Sequence, residues 1–151
     1  GRSRNGNSRE LVAPRKRKTN EQLTIVEPEL TAENEVLFQN GVDLFNTGQY
    51  WDAHESWEGI WQELGEEPED DWEILLRGLI QIAAGLHCVL LKKERGSRRN
   101  LMKGWSKIVL FKDHFLDLDL KNLARETERC LDCPECMTGY MIKREFTNEN
   151  V

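Results

Sequence analysis

An all-α fold is predicted by three observations. Apolar residues recur at helical spacing across most of residues 31–131. One segment, residues 74–91, is apolar nearly all round, which suits a helix enclosed by other helices. Alternation of the strand kind is confined to LDLDL at 116–120, with no partner strand elsewhere in the pattern. The expectation is a single compact bundle of about five helices with the third at its centre.

The elements follow in order. Residues 1–30 read as a basic flexible arm and linker with two prolines and no sustained period. Thr31 is placed to cap a first helix whose face carries Val36, Leu37, Asn40, Leu44 and Phe45. Thr47-Gly48 stops it, because glycine readily takes the left-handed conformation that ends helices. A second helix is expected over 49–64, ending at Gly65. The loop that follows, GEEPEDDWE, holds six acids and a proline and should be solvated and mobile. Asp70 or Asp71 then caps a third helix reaching Lys92, where Lys92, Lys93 and Arg95 put positive charge at its C-terminal end. Gly78, Ala83, Ala84 and Gly85 allow close neighbours. A fourth helix is expected over 97–113, with Leu101, Trp105, Ile108 and Val109 on one side. LDLDL is read as a turn into a short last helix over 120–131. Residues 132–151 form a Cys-containing tail, and residues 1–25 and the last dozen are expected to be disordered or loosely attached.

The chain has 151 residues and 38% hydrophobic content with five Trp and five Phe, enough for one modest core. Its net charge of −6 is uneven: residues 1–18 carry seven Arg or Lys against one Glu, a net +6, which leaves −12 for the rest. An acidic domain offers nucleic acid no electrostatic footing, so only the arm could supply one. The arm has no apolar stretch of the secretory kind; it reads as the remnant of a plastid transit peptide or as a basic tail on a cytoplasmic protein. No membrane span is expected, because Arg77, Gln81 and His87 interrupt the one segment long enough.

Candidate chemistry concentrates in residues 45–61, FNTGQYWDAHESWEGIW. On a helix His54, Glu58 and Trp61 share a face, with Glu55 at its margin. His54 and Glu58 stand four residues apart, the spacing of two metal ligands on one helix turn. The pattern is His-Glu-x-x-Glu rather than the His-Glu-x-x-His of zinc proteases, which makes a weaker zinc site. Gln81 and Arg77 lie on one stripe of the third helix and need partners when buried. His54, Glu58 and Gln81 are therefore expected to converge between helices two and three, with Glu55 and Glu58 as candidate partners of Arg77. Gln81 and His87 lie about 120° apart around the helix axis. If Gln81 faces the cluster, His87 faces elsewhere, and no metal is expected at His54. Trp51, Trp57, Trp61 and Trp105 are expected in the core. In the tail, Cys130, Cys133 and Cys136 are spaced C-x2-C-x2-C; they read as three free thiols, with a metal site or a redox disulfide as alternatives.

Two blocks together carry a resemblance. Phe45, Asn46, Gly48, Tyr50, Ala53, His54, Glu55, Glu58 and Trp61 match F-N-x-G-x-Y-x-x-A-H-E-x-x-E-x-x-W, and Gly78, Leu79, Ile80, Gln81, Ala83 and His87 match the G-L-I-Q-x-A block and its downstream His. Over about residues 35–123 the chain resembles the bacterial, archaeal and plastid family known as domain of unknown function 309. The resemblance implies a compact α-helical domain and carries over no catalytic residues. The Cys-containing tail lies beyond it.

No Ser-His-Asp order, phosphate loop or dinucleotide fingerprint is present, and no cofactor is expected. The leading expectation is a non-catalytic interaction or oligomerisation module, with a homo-oligomer or protein partner, built around an inter-helix polar cluster. The alternative is a small-molecule-binding or hydrolytic enzyme using His54, Glu55 and Glu58, with or without a metal.

Overall fold

The structure, a computed structural model, describes residues 27–64 and 70–145. The expectations for the basic arm, for the acidic loop at 65–69 and for residues 146–151 lie outside the described residues. Among the described residues five α-helices run in order: α1 (Ala32–Asn46), α2 (Tyr50–Glu63), α3 (Asp71–Leu90), α4 (Glu94–Ile108) and α5 (Leu120–Arg129). A two-residue hairpin, β1 (His114–Phe115) and β2 (Leu118–Asp119), separates α4 from α5, and a 3-10 turn (Pro134–Met137) follows α5.

Local signals set the helix ends. Thr31 caps α1 by accepting from the Asn34 amide, and Asp70 caps α3 by accepting from the Glu73 amide. At the end of α1, Gly48 takes φ +83°, so its own amide reaches Phe45 O and the Gln49 amide reaches Leu44 O. This double closure uses two of the carbonyls a helix end leaves open. The same motif ends α3, with Lys92 at φ 60° in the glycine position. That turn ends α3 at Leu90, short of Lys92, and lets α4 begin at Glu94, earlier than Ser97.

α3 is the centre of the bundle, packed most extensively on α4 and then on α2, while α1 packs on α2. It is long and apolar enough by composition to cross a membrane, but most of that stretch is buried inside the protein. Close approach to α4 depends on glycine: a Cβ on Gly104 would sit 2.9 Å from Gly78 O, and one on Gly78 would sit 2.8 Å from Ile108 Cδ1. Trp57 is fully buried at the α1–α2 contact, its Nε1–H donating to Phe38 O at 3.2 Å. Trp61 and Trp105 are half-buried, and Trp51, expected in the core, is 46% exposed.

The LDLDL segment departs from its expectation. Its partner strand is the adjacent His-Phe pair, joined through Leu116 and Asp117, both at positive φ (51° and 67°), the two-residue turn that matches strand twist. Distant residues hold this turn: Glu27 accepts from the Leu116 amide, Arg144 Nε donates to Leu116 O, and the Glu145 amide donates to Asp117 O. The last segment is likewise not loose where it is described. Met137 and Ile142 are in the core, Asn46 makes a two-way amide pair with the Ile142 backbone, and Arg144 pairs with both Glu35 oxygens beneath a Phe38 ring contact. The folded unit therefore extends past residue 131, through 145.

Positive charge is not confined to the arm either. Arg95, Arg98, Arg99 and Lys103 are all exposed along α4.

Candidate functional site at the seam of α2 and α3

The residues expected to form one cluster are divided among three. His54 lies on α2 with its side chain 13% exposed, its Nε2 3.7 Å from Glu58 Oε2. At that distance the two groups form an ion pair when the imidazole is protonated, not a hydrogen bond. The Trp51 indole, one turn earlier, stacks on His54 with ring centroids 4.6 Å apart and planes at 16°. His87, from α3, lies 5.1 Å from the same indole. An exposed tryptophan thus makes ring contacts with two imidazoles from different helices. His54 Nδ1 is buried with no hydrogen-bond partner among the described residues.

The second cluster is buried more deeply. Trp61 Nε1–H donates to Glu73 Oε2 at 2.8 Å, and Arg77 reaches the same oxygen from Nε at 3.2 Å and Nη2 at 3.1 Å. Glu73 is 2% exposed and Arg77 9% exposed. The partner of Arg77 is therefore Glu73, one turn back on its own helix, and neither Glu55 nor Glu58. An i, i+4 glutamate–arginine pair was available as a signal in the sequence. Glu55 is exposed and joins neither cluster.

The third cluster takes Gln81 away from α2. Its Oε1 accepts from Lys107 Nζ of α4 at 2.9 Å. The angular separation of Gln81 and His87 holds, but their assignments are exchanged: Gln81 faces α4 and His87 faces the aromatic stack on α2. The geometric reason is that α3 is flanked by both helices, and period alone does not say which polar residue meets which neighbour.

Chemically, the first cluster offers an imidazole with a nearby carboxylate and an aromatic face. Among the described residues no group of three or more His, Cys, Asp or Glu side chains is placed to hold a metal ion. In the tail, Cys133 and Cys136 are joined as a disulfide, Cys130 is a buried free thiol and Cys88 a half-buried one. The expectation of three free thiols is thus corrected: of the three only Cys130 is free, and Cys133 with Cys136 takes the disulfide alternative. Trp51, His87 and Glu73 are the residues that sequence reasoning left out of the site.

The matching family is described as a domain of unknown function, DUF309, and its model covers residues 38–100. The match takes in both motif blocks on which the resemblance rests. No curated protein matches the chain.

Proposed function

We propose that this domain is a non-catalytic interaction module that self-associates through the seam of α2 and α3. The observation that carries this reading is Trp51, 46% exposed yet in ring contact with both His54 and His87, at 4.6 and 5.1 Å. An aromatic side chain that is already ordered before binding loses little freedom on burial, which suits it as an anchor. Two exposed apolar side chains follow His87 in the sequence. Leu90, the last residue of α3, and Leu91, its C-cap, one turn beyond His87, are 52% and 49% exposed. A two-fold contact would bring the same anchor in from each side.

The test is a concentration series by light scattering and sedimentation equilibrium. Self-association that Trp51→Ala weakens by about tenfold or more, roughly 1.4 kcal/mol, with the helical signal intact, is the expected result. A chain that stays monomeric to millimolar concentration sinks the proposal.

The partnerless Nδ1 of His54 favours a second reading, a small-molecule site at the same seam with Glu58 as general base if a reaction follows. Binding that His54→Ala abolishes and Trp51→Phe preserves would select it. Plastid or cytoplasmic residence is proposed from the composition of the arm, and an aqueous rather than membrane setting from the enclosure of α3 by its neighbours.

A further inference from the structure

We propose that Cys133-Pro134-Glu135-Cys136 is a dithiol–disulfide exchange site whose substrate is the dithiol of another protein. This is independent of self-association at Trp51. The two sulfurs are bonded across a sequence separation of three, with Cα atoms 5.4 Å apart. A ring that short removes little freedom from the unfolded chain, so it is a poor structural staple. The chain on its far side is held by other means. The Gly139 amide donates to Tyr50 Oη, Asn46 pairs with the Ile142 backbone, and Arg144 is clamped to Glu35. The crosslink is therefore free to open without releasing the fold.

Access is unequal. Cys136 is exposed and Cys133 only half so, which makes Cys136 Sγ the atom an incoming thiolate can reach. Beside this turn is an open cleft of ≈ 330 Å³. Pro134 and Glu135 line one side of it, and Val89, Lys92, Lys93, Glu94 and Ser97, from the α3–α4 junction, line the rest. Val89 and Pro134 give the cleft an apolar part that suits a protein segment, and Lys92 and Lys93, beside the cleft's own Glu94 and Glu135, can pair with carboxylates of a protein partner.

The exchange balances within the two pairs. A thiolate of the partner attacks Cys136 Sγ, the Cys133–Cys136 bond breaks, and the Cys133 thiolate leaves and takes a proton from water. The partner's second thiol, having lost its proton to solvent, attacks its own sulfur in the mixed disulfide and expels the Cys136 thiolate, which is then protonated. Two electrons and two protons pass from the partner dithiol to this chain, and the partner is left oxidised. Cys130 stays outside the exchange. It is buried and donates to Glu126 Oε2 at 3.6 Å, and burial pushes its thiol pKa up, away from the reactive thiolate.

The experiment uses the full chain, air-oxidised, with reduced thioredoxin as the protein dithiol and dithiothreitol as the small one. Free thiols are alkylated after an acid quench and located by mass spectrometry. The expected result is native-state reduction confined to Cys133 and Cys136, at least about tenfold faster with thioredoxin at equal thiolate concentration. Lys92→Glu with Lys93→Glu should slow the thioredoxin reaction severalfold and leave the dithiothreitol rate unchanged. In Cys133→Ser, the Cys136 thiolate should attack a single-cysteine thioredoxin activated as its mixed disulfide with thionitrobenzoate, expel thionitrobenzoate and leave a stable mixed disulfide between the two proteins. Three results would each overturn the proposal: reduction only on denaturation, the pair recovered as free thiols after oxidation, or stoichiometric zinc lost in Cys133→Ser.

Discussion

Glu73 shows how much a single buried residue can decide. One of its oxygens takes the Trp61 indole and both contacts from Arg77, while the other, Oε1, is buried without a partner among the described residues. Removing the carboxylate would leave a guanidinium 9% exposed with its counter-charge gone. Glu73→Ala is therefore expected to cost about 3–5 kcal/mol, against about 1 kcal/mol for Trp61→Phe, which loses one hydrogen bond. Urea unfolding measures both, and a Glu73→Ala cost below about 1 kcal/mol would mean that Arg77 finds water or another partner. Tyr140 acts on a different axis. Its hydroxyl donates to Asn122 Oδ1, and burial first, then the negative charges of Asp119 and Glu126, push its pKa well above the ordinary phenol value. A raised folded-state pKa means that the folded protein holds the proton longer than the unfolded chain. The associated stability is whole below about pH 10 and is lost as pH rises from there toward the folded value. The buried Cys130 thiol, also raised, adds loss in the same direction from about pH 8.5 upward. In Tyr140→Phe, the fall of the urea midpoint above pH 10 should be shallower than in the parent chain. An unchanged slope would remove Tyr140 from the account.

Between elements, glycine sets how closely the helices lie. At the α1–α2 contact a Cβ on Gly41 would meet Trp57 Nε1 at 2.1 Å and Cε2 at 2.4 Å, so the indole would have to leave its slot and its bond to Phe38 O. Gly59, on the same pair of helices, would place its Cβ 3.6 Å from Leu37 Cδ1, an ordinary contact. Gly41→Ala is expected to destabilise by about 3 kcal/mol or more, through overpacking and displacement of Trp57. Gly59→Ala should be neutral or stabilise by up to about 1 kcal/mol, the helix-interior preference for alanine. Thermal unfolding of the two variants side by side tests this, and equal effects would show that α1 and α2 separate freely. Element ends were legible in sequence where their cause is local: Thr31, Gly48 and Asp70 each act within a few residues of themselves. The hairpin was not, because the Leu116–Asp117 turn is held by Glu27, Arg144 and Glu145, 28 to 89 positions away along the chain. The candidate site was legible in part. Periodicity put His54 beside Glu58 and separated Gln81 from His87, but it could not say that α2 would meet His87 while α4 took Gln81.

At the scale of the molecule, the segment after α5 closes the bundle rather than trailing from it. It crosses from the disulfide turn to α1, and its anchors fall on three helices, α2, α5 and α1. Met137 is fully buried, Gly139 bonds Tyr50 of α2, Tyr140 bonds Asn122 of α5, Ile142 pairs with Asn46 of α1, and Arg144 reaches Glu35 and Gln39 on α1. The Asp119 amide also donates to Lys143 O, so the hairpin and this strap support one another. Burying Ile142, 3% exposed, contributes about 2–3 kcal/mol, and its two amide bonds to Asn46 about 1 kcal/mol each. A chain ended after residue 138 should therefore lose at least about 3 kcal/mol, with the unfolding transition still cooperative because α1 to α5 keep their shared core. Asn46→Ala, which leaves the strap covalently present, should lose about 1–2 kcal/mol of that. Urea unfolding of the two variants gives the comparison. If the shortened chain unfolds at the parent's midpoint, the strap is an ornament on a bundle complete by Leu131, and the domain boundary belongs there after all.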